Sequence, residues 1–291
     1  MSLYDKMRSA GLIIFITALC TFISVGTIGS GALTPKRVYA LDMLDAGANS
    51  KRITPNGQIS PARSLKQQNA LQQNVQQQNA AALSALASEY FEKSVFVGDS
   101  IMVGFRNYAL SSKTSCLSHA KFLAKESYSL RNGLRESSDL HPTYNGKKQP
   151  VWKSIAMMDV DRVFIMFGMN DIFIGNEQTI ENLDAMAAKI VEAKPGIQIN
   201  IISMTYTLKD KSKGHLNNDN IRAYNAQVAA ECAAKGWKYW DLCSVIADAE
   251  GNLKKEYCSD NFVHHTNASY ANAWEPFFKN IAIESVNQAS K

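Results

Sequence analysis

Three short polar blocks hold the residues of this chain that could do chemistry. Gly98-Asp99-Ser100 follows the apolar run Val95-Phe96-Val97, and Gly168-Met169-Asn170-Asp171 follows RVFIMF, residues 162–167. A late segment, SDNFVHHTNASY, carries Asp260 and His264 just before the last helical pattern. A serine hydroxyl is a poor nucleophile until an imidazole takes its proton, and a carboxylate must hold that imidazole in the right tautomer. Ser100, His264 and Asp260 are therefore the candidate nucleophile, base and orienting acid. Acyl transfer also needs donors aimed at the oxyanion of its tetrahedral intermediate. The Ser100 N–H, at a helix start, and the Asn170 amide are the candidates. Asp99 and Asp171, beside Gly98 and Gly168, are expected to shape the two turns by local hydrogen bonding. His119, His141 and His215 lack metal-ligand spacing and are assigned no role. No metal or organic cofactor is expected.

The elements that must position these blocks alternate between strand and helix. Short apolar strands are expected at 94–97, 162–167, 198–203 (QINIIS) and 237–242 (WKYWDL), with a weaker one at 116–124. Their continuous apolar character is that of strands covered on both faces. Helical patterns fill Thr179 to Ala193, stopped by Lys194-Pro195-Gly196, and Asn220 to Lys235, stopped by Gly236. Such alternation implies an α/β fold, a three-layer α/β/α sandwich on a mostly parallel five-stranded sheet. Ligand sites in such folds form beyond the carboxyl ends of the strands, where the polar blocks fall.

The three blocks resemble those of the SGNH hydrolase superfamily, the GDSL esterases and lipases. Its first block is Gly-Asp-Ser after the first strand, matched by residues 98–100. Its third is Gly-x-Asn-Asp, matched by residues 168–171. Its last, Asp-x-x-His with a following Thr and Tyr or Trp, is matched in part by Asp260 to Tyr270. The resemblance runs from about Tyr90 to Ala282 and implies a flavodoxin-like hydrolase fold with Ser100, His264 and Asp260 as the triad. It also implies that Asn170 and the Ser100 N–H form the oxyanion hole. Two departures stand out. The last block is one residue longer than the family's spacing, which would put Asn261 at the acid position. Asp260 is preferred, because an ionised acceptor orients a histidine better than an amide does. His265 competes with His264 as base, although alignment favours His264. The family's oxyanion-hole glycine is absent near FLAKESYSL. A backbone N–H of Glu126 or Ser127 is expected to substitute there, with a narrower acyl site, and Gly133 is a poorer candidate.

The chain has 291 residues, is 46% hydrophobic and carries a net charge of +5. Its basic residues are scattered, with no basic helix or aromatic–basic platform, so nucleic-acid binding is not expected. Lys6 and Arg8 precede an uncharged stretch from Ser9 to Pro35, long enough to span a bilayer. Val38-Tyr39-Ala40 offers a signal-peptidase site after Ala40. Residues 1–40 thus read as a signal peptide or a single-pass anchor, and either exports the rest. Membrane attachment follows only if the segment is uncleaved. Residues 41–88 read as a linker, Gln/Asn-rich and helical towards its end, and 89–291 as the hydrolase domain. Cys116, Cys232, Cys243 and Cys258 are either free core thiols or two disulfides, in any of three pairings.

The expected function is that of an exported monomeric serine esterase acting on an acylated small molecule or a cell-envelope glycan. The alternatives are an O-acyltransferase using the same triad, and a catalytically inactive SGNH-like domain that binds the envelope.

Overall fold

The structure, a computed structural model, describes residues 65–289. The expected export segment and the first part of the linker lie outside the described residues. The chain divides into two units, residues 1–82 and 83–291. Helix α1 (Leu65–Glu92) begins in the first unit as the Gln/Asn-rich stretch, where Leu71 and Val75 are exposed. No helix among the described residues is long and apolar enough to cross a membrane.

In the second unit, five parallel strands make one sheet: β1 (Ser94–Gly98), β2 (Lys121–Ala124), β5 (Arg162–Met166), β6 (Gln198–Ile202) and β7 (Lys238–Trp240). Their order is β2-β1-β5-β6-β7, and every pairing is parallel. A two-stranded hairpin, β3 (Thr143–Tyr144) and β4 (Lys147–Lys148), lies apart from it. The sandwich expected from the alternation is thus present, with a sheet parallel throughout.

Every residue of β1 is buried, because successive side chains face opposite layers. Phe96 points to one layer and stacks on Phe164 of β5, ring centroids 4.8 Å apart. That layer holds the end of α1, helix α2 (Ser100–Ser111) and the C-terminal helix α9 (Glu275–Ala289), with Phe91, Phe105 and Phe278 packed around the stack. Val95, Val97, Val163 and Ile165 point the other way. There they meet α4 (Val151–Ala156), α5 (Asn176–Ala193) and α6 (Asn218–Lys235). Burying one such phenylalanine contributes about 1.5–3 kcal/mol, so this stack anchors the strands that carry the first two polar blocks.

Two sequence expectations need correcting. The weak strand at 116–124 shrinks to β2, because residues 116–120 turn. Ser118 and Ala120 donate back to Ser115 and Leu117, and the Cys116 N–H is taken by the Glu275 carboxylate at 2.9 Å. The strand at 237–242 is only β7. Of the five cysteines, the four among the described residues are free thiols, Cys116, Cys232 and Cys243 buried and Cys258 half-buried.

The order β2-β1-β5 means that the chain leaves β1 for one side of the sheet and later returns to its other side. Crevices open at such switch points, beyond the strand ends. β1 ends at Gly98 and β5 at Met166, so the first two polar blocks meet at that crevice.

Candidate active site

Gly98 closes β1 because nothing larger fits. A Cβ there would sit 2.8 Å from the Met102 Cβ and 2.9 Å from the Met166 carbonyl oxygen. Asp99 is the N-cap of α2, and its carboxylate accepts the Ile101 N–H at 3.0 Å. Burial pushes the Asp99 carboxyl up to about 7, a rise that this hydrogen bond only partly offsets. Ser100 follows as the first residue of α2, half-buried, at the positive end of a 12-residue helix.

The second block forms the facing turn. Gly168 has φ +133°, a conformation that side chains other than glycine rarely adopt, and a Cβ there would lie 2.7 Å from the Met204 sulfur. The Asn170 amide donates to the Tyr128 carbonyl at 3.0 Å, which leaves its second N–H available. Asp171 is fully buried and accepts the Leu130 N–H at 3.0 Å and the Arg131 N–H at 3.4 Å. Those two residues begin the short helix α3 (Leu130–Gly133), so Asp171 ties the segment after β2 to the turn after β5. Burial raises its pKa against those two bonds.

The third block comes from the loop before α8 (Asn267–Ser269). Asp260 Oδ1 accepts three backbone N–H groups, from Phe262 at 2.9 Å, Val263 at 2.9 Å and His264 at 3.1 Å. Asn261, the extra residue of this block, takes a left-handed φ of +61°, which folds the loop over its own carboxylate. Asp260 Oδ2 lies 2.5 Å from His264 Nδ1. Partial burial raises the Asp260 carboxyl. The hydrogen bonds from the His264 ring and from the three N–H groups outweigh it and hold the group well below the usual range. An ionised carboxylate can only accept, so His264 Nδ1 carries the proton. In the neutral ring Nε2 is then the acceptor for the Ser100 hydroxyl, 2.9 Å away.

Ser100, His264, Asp260 and Asn170 are therefore brought together, and the first two line one cleft of about 390 Å³ with Asn170. Glu126 is exposed in the turn after β2 and is not part of the cleft wall, and neighbouring Ser127 has φ +57°. Gly133 ends α3, where a Cβ would meet the Met186 methyl at 2.5 Å. His265 points away from the cleft. It is buried, with Nδ1 2.9 Å from the Ser269 hydroxyl, and burial lowers it to about 3. Asn261 is exposed and its side chain makes no bond to His264.

Three further features of the cleft were not found from sequence. Phe173 and Ile172 line it from the turn after β5, Phe262 and Val263 from the loop before His264, and Lys213 and Leu216 from the loop after β6. Phe262 and Val263 lie inside the quoted block and were open to notice. Lys213 sits in a polar stretch, TLKDKSKGHLNN, with no pattern that marks it. Tyr206, in the loop after β6, packs against both core layers and does not line the cleft.

The sequence profile of the GDSL-like Lipase/Acylhydrolase family matches residues 96–271. No curated protein sequence matches the chain. Among solved structures, one similar fold is a GDSL-like lipase from Bacteroides thetaiotaomicron, 16% identical with a TM-score of 0.51, covering 67% of this chain and 89% of that one. A Bacteroides fragilis protein provisionally assigned as an acylhydrolase is also 16% identical, with a TM-score of 0.51, covering 67% and 87%. A Streptococcus pneumonia protein provisionally assigned as a platelet activating factor is 18% identical, with a TM-score of 0.50, covering 77% and 100%. At these identities the likeness is one of fold.

Proposed function

This chain belongs to the GDSL-like Lipase/Acylhydrolase family, and we propose on that premise that it is a serine esterase working through Ser100, His264 and Asp260. The observation that carries the reading is the Ser100 Oγ to His264 Nε2 contact of 2.9 Å, backed by Asp260 on the other ring nitrogen. Ser100 Oγ attacks the ester carbonyl carbon while His264 Nε2 takes its proton. The tetrahedral oxyanion accepts the free N–H of Asn170 and the Ser100 backbone N–H. Collapse breaks the bond to the alcohol oxygen, which leaves with the proton from His264. A water then attacks the acyl-serine with His264 again as base, releasing the acid and regenerating Ser100. Asp260 keeps the Nδ1 proton throughout on the imidazole and stabilises the imidazolium.

The apolar stretch from Ser9 to Pro35 supports work outside the cytoplasm. In that setting the proposed substrate is an acyl ester on a cell-envelope glycan. The test is hydrolysis of 4-nitrophenyl acetate by wild type and by Ser100→Ala. Activity is expected to vanish with the unfolding midpoint unchanged, and full activity in the variant would overturn the mechanism.

A further inference from the structure

We propose that the cleft selects esters that carry a negative charge beside the scissile bond, and that Lys213 recognises that charge. The inference rests on the esterase reading above and names the substrate class of the same site. Apart from the catalytic imidazole, Lys213 is the one ionisable side chain among the residues that line the cleft, and no carboxylate lines it. The rest of the wall is largely apolar, with Met169, Ile172, Phe173, Leu216 and Phe262. A single cation within such walls keeps more of its field than one in open solvent, and it concentrates anions there.

The backbone at Lys213 is held in place, while its side chain is exposed. Its N–H donates to the Leu216 carbonyl at 2.9 Å and its carbonyl accepts the Leu216 N–H at 3.1 Å, closing a tight turn. Gly214 takes a left-handed φ of +60° inside that turn. The Asn217 amide donates to the Gly214 carbonyl at 3.1 Å, and the Asn220 amide to the His215 carbonyl at 2.9 Å. Two of the turn's carbonyls are thereby fixed to the start of α6. Lys209 on the same loop is paired with Glu250, whereas no acidic side chain among the described residues forms an ion pair with Lys213. The loop thus brings a lysine with no acidic ion-pair partner among the described residues to the cleft that also holds Ser100.

One further cation, Arg131, stacks on a wall residue without lining the cleft itself. The Arg131 guanidinium lies over the Phe173 ring, 4.6 Å from its centroid. The buried Asp171 carboxylate accepts the Leu130 and Arg131 N–H groups and partly answers the Arg131 charge, so Lys213 remains the cation that lines the cleft. The group recognised is thus a carboxylate or a phosphate on the alcohol part of the ester, as an acidic sugar or a polyol phosphate would bring.

The test compares kcat/KM for a neutral ester, 4-nitrophenyl acetate, with a carboxylate ester, 3-acetoxy-4-nitrobenzoate, and a phosphate ester, acetylated glycerol phosphate. Each is measured in wild type, Lys213→Gln and Lys213→Arg. The anionic-to-neutral ratio is expected to fall about fivefold in Lys213→Gln, the upper end for a partly solvated ion pair. It should recover in Lys213→Arg and shrink in high salt. The larger fall, carboxylate or phosphate, identifies the source of the charge. Because the ratio is taken within each protein, a poorly folding variant does not confuse it. An equal ratio in wild type and Lys213→Gln would overturn the proposal. Calorimetric binding of 3-hydroxy-4-nitrobenzoate separates the two readings. Binding that needs Lys213, with no ester turned over, would sink the esterase reading and keep the anion site. Binding equal in wild type and Lys213→Gln would sink the anion site alone.

Discussion

Replacing Asp260 with asparagine changes one atom of the triad, and the geometry of the loop says which way the new amide must turn. Asp260 Oδ1 receives three backbone N–H groups and Oδ2 receives one, from the His264 ring. An amide oxygen kept on the three-donor side preserves three bonds. Turning it towards His264 forfeits them, at about 1 kcal/mol each and so about 3 kcal/mol in all. In the favoured orientation the amide NH₂ faces His264 Nδ1, which must then accept. The ring proton moves to Nε2, and the Ser100 hydroxyl loses its acceptor. The productive orientation is populated at under about 1%, which sets a fall in kcat of at least about 100-fold. Substitution of this kind in a serine triad costs about 10⁴-fold. Asp260→Asn is thus expected to lose 10²- to 10⁴-fold in kcat for 4-nitrophenyl acetate, about 3–5.5 kcal/mol of barrier, with nearly normal unfolding. Asp260→Ala, which also strips the loop of its acceptor, should lose similar activity and about 1–3 kcal/mol of stability. The assay is stopped-flow or steady-state hydrolysis alongside urea unfolding. Activity of Asp260→Asn within tenfold of wild type would refute the tautomer argument.

Asn170→Ala should lower kcat about 10²–10³-fold with little change in KM, since its free N–H meets charge only in the transition state; an unchanged kcat would remove it from the oxyanion hole. Gly98→Ala forces a methyl against the Met166 carbonyl of the neighbouring strand and is expected to cost about 1–3 kcal/mol in urea unfolding. The stability profile should reflect two buried groups of opposite sign. Asp99, raised from 3.8 to about 7, holds a proton in the folded state that the unfolded chain releases between those values, so it makes stability fall as pH rises; Asp171 acts in the same direction. His265, lowered from 6.5 to about 3, stays neutral while the unfolded chain binds a proton, so it makes stability rise with pH across the same range. Between pH 4.5 and 6.5, Asp99→Asn should therefore make the unfolding midpoint climb more steeply with pH than wild type, and His265→Gln should make it fall. Identical slopes in all three proteins would contradict the assignment.

The layered fold was legible because strands covered on both faces carry continuous apolar runs, as VFV (95–97) and VFIM (163–166) do. The marginal strands were misjudged where apolar residues serve turns. Cys116 and Leu117 look like strand residues, but they are buried by a loop whose backbone bonds go to Ser115 and Glu275. The first two polar blocks were legible as well, since each ends a strand at a place where only glycine fits. For the third block, spacing alone pointed to Asn261, and only the preference for an ionised acceptor pointed to Asp260. The deciding fact is three-dimensional: Asn261 takes the left-handed φ that lets Asp260 gather three N–H groups and still reach His264. Asp99 shapes its turn through a local donor, Ile101, as expected, whereas Asp171 takes its donors from Leu130 and Arg131, some 40 residues earlier in the chain, where no local reading reaches. Lys213 was invisible, because a lysine in a polar loop carries no sign of which surface that loop covers.

The central claim is that Ser100 is an activated nucleophile, and a fluorophosphonate probe with mass mapping of the labelled peptide tests it most directly. One adduct is expected, on Ser100, in wild type, with labelling slowed at least 100-fold in Asp260→Asn. An intact wild-type protein left unlabelled, or labelled on another serine, would contradict it.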